Sequence, residues 1–327
     1  MSGWGIGIAV VGVVAFVCGY FYRWRGVPFI TRKGIPFMGQ DYQYAIGVYT
    51  GTSLADLAAP SDVENPVLAP NRVKQMRCCT LADPFLLRHE GKWFMFMEVV
   101  NRSRRCGEIG YATSPDGRRW SYQAVVLREP FHLSYPFVFA YRDAIWMIPE
   151  TAQDHSVRLY RALEFPTQWR LETRLLEGHG YTDPSVLQHE GLWWMFVSRH
   201  TCEDLLLYYA EELTGPWRPH PQSPIIYAQP QKARCAGRPV SLNGRLIRFA
   251  QDCGEEYGRR VRAFRIDRLD REQYQESELP ESPVLGPSGG GWNAEGMHHI
   301  DLHAQTDGSY LAAVDGWRQV RDIGWKY

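Results

Sequence analysis

Two aspartates stand in the same phrase of the sequence, each directly before a proline. Asp83 lies in LADPFLLRHEGKWFMF and Asp183 lies in YTDPSVLQHEGLWWMF. Carboxylates that converge on one site can act as general acids and bases. An aspartate before proline at the start of a strand is also common as a turn residue that binds nearby backbone N–H groups. The choice between these two roles depends on where the fold places the two copies.

The repeated phrase belongs to a longer internal repeat. Further copies read SYPFVFAYRDAIWMIPE (134–150), GRPVSLNGRLIRFAQD (237–252) and HHIDLHAQTDGSYLAAVD (298–315). Each copy reads as a strand, a tight turn and a second apolar strand. The first four copies are followed by another pair of short strands, so the unit has four strands and a period of about 50 residues, which is typical of a propeller blade.

The fifth copy is not followed by an outer pair of strands. The segment YAIGVYTGTSLADLAAPSDVENPVL (44–68) has the same strand, turn and proline pattern as YYAEELTGPWRPHPQSPII (208–226). We therefore expect strands within 44–68 to complete the last blade and close the ring, which removes exposed sheet edges. The sequence predicts an all-β fold, a five-bladed β-propeller over 39–327.

An apolar segment precedes this domain. WGIGIAVVGVVAFVCGYFY (4–22) carries no charge and has about the length of a helix that spans a bilayer. No charged side chain precedes it and bulky aromatic residues end it, which favours an uncleaved single transmembrane helix over a signal peptide. We predict an anchor at 1–23 and a basic linker at 24–38. The positive-inside rule then places the main domain in the cytoplasm.

Composition narrows the function classes. The 36 basic residues balance the 36 acidic ones, so the sequence gives no sign of a nucleic-acid-binding surface. The 7 cysteines form no Cys-x-x-Cys pair, so neither a disulfide framework nor a zinc site is expected. No cofactor is predicted. Aromatic residues make up 13% of the chain, which suits strands and also sugar-stacking surfaces.

The repeat register predicts a polar ring at the centre of the propeller, because the first strand of each blade lines the channel. The five copies place these residues at equivalent positions of the first strands: Asp83, Tyr135, Asp183, Arg238 and His299. The ends of the second strands contribute Glu98, Glu150, Arg199, Asp252 and Asp315. Such a ring is more polar than a core requires, and converging carboxylates tend to have shifted pKa values, which indicates function.

The segment GGGWNAEGMHHID (289–301) fits no simple strand pattern. It combines glycines with Trp292, Asn293, Glu295, His298 and His299, and loops dense in such groups often carry function. The alternative is a structural loop with a buried histidine. Neighbouring residues of a strand point to opposite faces, so the two histidines do not predict a metal site.

Several motifs together resemble one domain family. ADPF, GKWFMFME, GEIGYATSPDGRRW, GRPV and GWNAEGMHHID are similar to the domain at the N-terminus of plant glucosamine inositolphosphorylceramide transferases, over about 35–317. In those plant proteins a separate glycosyltransferase domain follows. The resemblance covers the propeller and does not carry over the activity of that second domain.

More distantly, the chain resembles five-bladed glycosidases that cleave arabinans, xylans and fructans. The resemblance implies that Asp83 matches their base on the first blade and Asp183 their pKa-tuning aspartate on a middle blade. Their acid is a glutamate on a later blade, but here the motif reads AGRP, with Ala236 and Arg238. Since glycoside cleavage needs two carboxylic groups, Glu150 or Glu295 would have to supply the proton.

The leading hypothesis is a membrane-anchored carbohydrate-active propeller that acts on or binds a glycoside, either anionic or lipid-linked. The expected catalytic groups are Asp83, Asp183, Glu150 and Glu295. The expected substrate-binding groups are Tyr135, Arg238, His298, His299, Trp292 and Asn293, with Arg238 and the two histidines holding an anion. The alternative is a non-catalytic glycan-binding or accessory domain that serves a separate glycosyltransferase. A purely structural propeller would not need the polar ring.

Overall fold

The computed structural model describes residues 38–104, 106–199 and 202–323, which form five antiparallel sheets. The first strand of the chain is β1 (Met38–Gly51). Blade one contains β2 (Cys78–His89), β3 (Lys92–Asn101), β4 (Cys106–Ser114) and β5 (Ser121–Leu127). Blade two contains β6 (Ser134–Tyr141), β7 (Ala144–Glu150), β8 (Ser156–Glu164) and β9 (Gln168–Glu177). Blade three contains β10 (Tyr181–His189), β11 (Leu192–Arg199), β12 (Leu205–Ala210) and β13 (Arg218–Pro219).

Blade four contains β14 (Val240–Leu242), β15 (Arg245–Asp252), β16 (Arg260–Leu269) and β17 (Tyr274–Glu278). Blade five has the order β18 (Ile300–Ala304), β19 (Tyr310–Ile323) and β1, so its sheet joins the two ends of the described chain. Beyond β1, Ile46 forms a bridge with Leu68 and Thr50 forms one with Ala58, so 58–68 borders this sheet on its outer side. The architecture is an all-β, five-bladed β-propeller, as the repeat predicted.

The chain divides into two compact units, Tyr44–Arg318 and a smaller one that combines Met1–Gln43 with Gln319–Tyr327. The larger unit holds the blades. Of the smaller unit, the structure describes only the beginning of β1 and the end of β19. The predicted transmembrane segment 4–22 and most of the linker lie outside the described residues. Within the part of the chain that is described, no helix has the length and apolar character needed to cross a bilayer.

The repeated His-Glu-Gly sequences form the hairpins between the first two strands of blades one and three. Glu90 (φ 48°) and Gly91 (φ 75°) adopt left-handed backbone conformations, and so do Glu190 and Gly191. A two-residue turn with positive φ at both positions matches the right-handed twist of the strands it joins. The aromatic runs that follow these turns are buried between blades, where Trp194 is 1% exposed.

The Asp-Pro pairs mark a kink in the first strand of a blade. Asp83, Tyr135 and Asp183 all have φ near 50° (52°, 46° and 52°), and the pairing register shifts around each of them. Positive φ is uncommon outside glycine, and the same bulge recurs at three equivalent positions. The bulge is therefore a regular element of the repeat. In blade four the kink falls on Gly237 (φ 136°), where an added Cβ would lie 1.7 Å from the Ile300 carbonyl oxygen.

Candidate active site at the propeller axis

The bulges direct backbone N–H groups towards acidic side chains of the preceding blade in the ring. The N–H of Asp83 donates to Asp315 Oδ2 at 2.9 Å, and the N–H of Asp183 donates to Glu150 Oε2 at 3.3 Å. The N–H of Tyr135 donates to Asp83 Oδ2 at 3.2 Å. A buried N–H needs an acceptor, and here carboxylates serve as the acceptors. Architecture and a carboxylate cluster therefore coincide at the axis.

His298 lies between two of these carboxylates. Its Nδ1 is 2.7 Å from Asp315 Oδ1, and its Nε2 is 3.8 Å from Asp83 Oδ1. Burial alone would lower the pKa of His298, but the negative charge and hydrogen bond of Asp315, with the charge of Asp83, raise it to about 9. The rings of Tyr44 and Tyr257 enclose the imidazole, with centroids at 4.9 and 5.7 Å. His298 is therefore an imidazolium at neutral pH.

This ion pair predicts a pH dependence of stability. The pKa of His298 is about 9 in the folded protein and 6.5 for a free imidazole, so its contribution is complete below pH 6.5 and is lost as the pH rises through 9. We expect His298→Gln to lose about 2–3 kcal/mol of unfolding free energy relative to wild type at pH 6, and the gap to narrow by pH 9.5. Urea unfolding at both pH values measures this. A gap that stays constant with pH would contradict the assignment.

A second pairing joins Arg234 to the carboxylates of Asp183 and Glu150. The guanidinium Nε lies 2.5 Å from Asp183 Oδ2, and Nη2 lies 3.5 Å from Glu150 Oε2. Gln251 Nε2 donates to the same Asp183 oxygen at 3.0 Å. Tyr257, which is 43% exposed, covers the guanidinium at 5.2 Å and marks the open side of the cluster. Asp183 is thus held by two donors in a fixed position.

Two carboxyl groups of the cluster have raised pKa values. Burial raises the pKa of Asp83 well above its usual range, and the positive charge of His298 only partly offsets this. Burial also raises the pKa of Glu150, helped by the negative charge of Asp183 and opposed by Arg234. Neighbouring acids with pKa values shifted towards neutrality are what proton transfer requires. Glu150 differs from Asp83 in that the strongest charge effect on its pKa, that of Asp183, adds to the rise instead of opposing it.

Tyr135 connects the bulges of blades two, three and four. Its hydroxyl lies 2.7 Å from Ser185 Oγ and accepts the N–H of Gly237 at 2.8 Å. Tyr135 is fully buried, with the edge of its ring system against Phe85 at 4.8 Å. Its position therefore supports the bulge geometry of three blades, while its backbone N–H holds Asp83.

Arg238 forms contacts of a different kind from those of Arg234. It donates from Nε to Asp301 Oδ1 at 2.8 Å and from Nη2 to the Val138 carbonyl at 2.8 Å, and it lies over the ring of Phe137 at 4.7 Å. Burial would raise the pKa of Asp301, but Arg238 and His303 outweigh it and lower that pKa. Arg238 therefore cross-links the first strands of blades two, four and five, a structural role that the sequence did not predict.

His299 is fully buried, and neither ring nitrogen has a hydrogen-bond partner among the residues that the structure describes. Its Nδ1 is 3.8 Å from Asp83 Oδ1, and its ring packs edge-on against Phe85 and Tyr135 at 4.6 and 5.3 Å. Burial lowers the pKa of His299 to about 4. His299 is thus a neutral imidazole and His298, its neighbour in sequence, a charged one.

Of the polar and aromatic side chains in the glycine-rich loop 289–301 that the sequence singled out, only those of His298 and His299 lie in the cluster. Trp292 packs on blade five, where a Cβ on Gly47 would lie 2.6 Å from its ring. Asn293 donates from Nδ2 to Tyr49 Oη at 3.2 Å and is 5% exposed. Glu295 is exposed to solvent, and its backbone N–H donates to the Trp317 carbonyl. Of the two acids that the sequence offered as proton donor, Glu150 is the one that the structure brings to Asp83 and Asp183.

Atoms of Asp83, His298 and Asp315 lie within 4.8 Å of one another, a separation that could hold a metal ion. The 2.7 Å contact between His298 Nδ1 and Asp315 is, however, the length of a charge-assisted hydrogen bond. An N–H that donates to a carboxylate is not a metal ligand. The arrangement fits an imidazolium between two acids.

The sequence patterns did not predict Arg234, Tyr257 and His132 as site residues. His132 accepts the N–H of Gly107 at Nδ1 (3.0 Å), so Nε2 carries the proton that it shares with Glu98 at 3.0 Å. These residues lie in connections between strands, outside the repeated phrases. For Arg234 a signal existed: it lies four residues before Arg238, which the repeat register had already assigned to the axis.

Fold and site together define a five-bladed β-propeller with a buried acidic cluster at its axis. The family model for "Glucosamine inositolphosphorylceramide transferase 1, N-terminal" matches residues 39–317, and the chain belongs to this family. The enzyme of that name from Oryza sativa subsp. japonica is 36% identical over 299 residues, 84% of this chain and 40% of the rice protein. The Arabidopsis thaliana enzyme is 37% identical over 247 residues, 73% of this chain and 32% of the plant protein. The chain thus spans two fifths or less of these relatives.

Solved structures share the architecture. A putative glycosidase from Bacteroides thetaiotaomicron matches with a TM-score of 0.57 and 14% identity, over 80% of this chain and 97% of that one. The catalytic domain of a Coprinopsis cinerea GH62 alpha-L-arabinofuranosidase matches with a TM-score of 0.55 and 11% identity, over 72% of this chain and 90% of that one. At such identities the likeness shows the fold alone.

Proposed function

We propose that this propeller is a carbohydrate-active domain that receives the sugar of a glycolipid at its axis and catalyses reaction at the glycosidic bond. The observation that carries the proposal is the convergence of Asp83, Glu150 and Asp183 with Arg234 and His298 at one buried cluster. The plant relatives are named as inositolphosphorylceramide transferases, and this name supports a glycolipid as the substrate class.

The roles follow from the environment of each acid. Glu150, whose pKa burial raises, donates a proton to the leaving oxygen. Asp83, beside the imidazolium of His298, accepts a proton from the attacking hydroxyl group of water or of an acceptor. Asp183, fixed by Arg234 and Gln251, orients the sugar. After the reaction Glu150 is ionised and Asp83 is protonated, so the net charge of the site is unchanged. Exchange of one proton with water at each group then restores the starting state.

The part of the substrate at the axis is a sugar without negative charge. Arg238 is paired with Asp301, His298 with Asp315, and His299 is neutral. These three groups were expected to hold an anion, and their contacts within the described residues leave that role without support. In our proposal the phosphate of a glycolipid lies outside the cluster, and segment 4–22 anchors the domain to a membrane on its cytoplasmic side.

A panel of soluble glycosides and glycosyl inositol phosphates tests the proposal. We expect one member to bind the wild-type protein and to release its aglycone or pass its sugar to an added acceptor. Calorimetry measures binding, and chromatography of the sugars measures turnover. Absence of both across hexosides, pentosides and amino sugars would contradict the proposed function.

The second candidate is a glycan-binding domain that presents a glycolipid to a separate glycosyltransferase. Ala236 favours it, because the resemblance to five-bladed glycosidases places their acid glutamate there. Ala236 carries no carboxyl group, so this position supplies no acid. Binding of a panel member without turnover would select this candidate.

A further inference from the structure

Two cysteines stand beside the arginine of the cluster. Cys202 lies between β11 and β12, and Cys253 follows directly after β15. Their thiols form a hydrogen bond with each other. The Nη1 of Arg234 is 3.9 Å from Cys202 Sγ. The dithiol therefore adjoins the guanidinium that binds Asp183 and Glu150.

The loops that carry the two cysteines are held on the same segment. The N–H of Gln229 donates to the Glu203 carbonyl at 3.2 Å, and the N–H of Cys253 donates to the Pro230 carbonyl at 3.0 Å. Both cysteines are partly exposed, in contrast to the buried Cys235. A small reagent in solution can thus reach a pair of thiols that the backbone keeps together.

The two thiols differ in acidity. The hydrogen bond from Cys253, followed by the positive charge of Arg234, lowers the pKa of Cys202 to about 6. The same hydrogen bond raises the pKa of Cys253. A thiolate beside a neutral thiol is the arrangement of an attacking and a resolving cysteine.

We propose that Cys202 and Cys253 form a reversible disulfide by exchange with a low-molecular-weight disulfide such as oxidised glutathione, and that this modification changes the charge next to Arg234. The effect on catalysis rests on the proposed function; the chemistry of the thiols does not.

The exchange balances in two steps. The Cys202 thiolate attacks one sulfur of glutathione disulfide, and one glutathione thiolate leaves. Cys253 then loses its proton and attacks Cys202 Sγ, which releases the second glutathione. The two protein thiols are oxidised and the glutathione disulfide is reduced to two thiols. Arg234 loses an anionic neighbour and binds Glu150 more strongly, which lowers the fraction of Glu150 that carries a proton. We therefore expect oxidation to slow turnover several-fold.

The experiment exposes the full chain to glutathione buffers of increasing oxidised fraction, alkylates the remaining thiols and maps the peptides by mass spectrometry. We expect one cross-linked peptide that joins Cys202 to Cys253, absent from Cys202→Ser and Cys253→Ser. Cys106→Ser, which removes a partly exposed cysteine on β4, is the matched control and keeps the cross-link. Stable glutathione adducts on Cys202, or cross-links between other cysteines, would overturn the proposal.

Alkylation rates provide a readout that does not depend on cross-linking. At pH 7 Cys202 should be alkylated faster than Cys106, and Cys253→Ser should slow the alkylation of Cys202 several-fold. Equal rates for Cys202 and Cys106 would count against the pairing of Cys202 with Cys253. Thermal unfolding verifies that each serine variant is folded. If the cross-link forms and the turnover of a bound glycoside is unchanged, the regulatory part is wrong. A missing glycoside ligand would be a failure of the proposed function, and the peptide map would still decide the disulfide.

Discussion

Replacing Arg234 by methionine should lower the free energy of unfolding by about 3–5 kcal/mol at pH 7, since removal of one partner of a buried ion pair leaves an uncompensated charge. The carboxylates that lose their partner are Asp183, 2% exposed, and Glu150, 9% exposed. Methionine retains most of the volume of the side chain, so lost packing contributes little. Urea unfolding with a linear extrapolation measures the change.

The loss of stability in Arg234→Met should depend on pH with a sign that follows from the pKa of Glu150. Burial raises the pKa of Glu150 in the folded protein, so the contribution of Glu150 is present below its unfolded pKa and is lost as the pH rises. Without Arg234 that loss becomes larger. The deficit of Arg234→Met should therefore grow from pH 5 to pH 8.

Two further variants make the comparison selective. Arg142→Met removes an exposed pair with Glu212 and should cost less than about 1 kcal/mol. Arg234→Met combined with Asp183→Asn should cost less than the sum of the single changes, because the double variant no longer buries an unpaired Asp183 charge. If Arg234→Met were as mild as Arg142→Met, the buried pairing would be refuted.

Replacing Glu150 by glutamine should reduce turnover of the bound glycoside by about 100-fold or more, because a positioned proton donor commonly contributes 10²–10⁴-fold. The amide keeps the size of the side chain and an oxygen that can accept the N–H of Asp183. Affinity for the glycoside should therefore stay within a few-fold of wild type. Initial rates and calorimetry on the same preparation separate the two quantities.

The pH profile distinguishes an acid from a residue that merely shapes the site. In wild type, turnover should fall at high pH as Glu150 ionises, and Glu150→Gln should lack this limb. At high pH the variant should also gain stability relative to wild type, because glutamine carries no buried charge. Glu212→Gln, an exposed change, is the matched control. Wild-type turnover in Glu150→Gln, or a change in KM alone, would remove Glu150 from the role of acid.

The repeated phrases contained enough information for the fold. Five copies with a fixed order of strand, turn and strand predicted the ring, and the proline after Asp83 and Asp183 marked positions where a first strand bulges. The bulge explains why these aspartates are both scaffold and site: the kink that the proline permits brings carboxylates and backbone N–H groups together. The same register selected Glu150, because the end of a second strand faces the next bulge.

The sequence could not show whether Arg234 or Arg238 pairs with the axial carboxylates. Both are arginines of the connection that precedes β14, four residues apart. Alignment on the proline selected Arg238, whereas the kink of blade four falls one residue earlier, on Gly237. As a result Arg238 meets Asp301, and Arg234 meets Asp183 and Glu150.

Long-range contacts between loops were equally beyond the repeat pattern. Cys202 and Cys253 belong to loops of different blades, and nothing in their local sequences indicates that they meet. Trp292 and Asn293 resembled sugar ligands by type alone, and their packing depends on glycines at 47 and 316 on other strands. Residue type suggests chemistry, but only tertiary placement assigns it.

The proposed function requires that the axial carboxylates bind and act on a glycoside. Its most direct test is calorimetry and turnover of the panel on wild type and Asp83→Asn side by side, with Asp116→Asn, in an outer turn of blade one, as the control. We expect binding and turnover in wild type and in Asp116→Asn, and turnover reduced by about 100-fold or more in Asp83→Asn. Equal binding and equal turnover in all three proteins would contradict it.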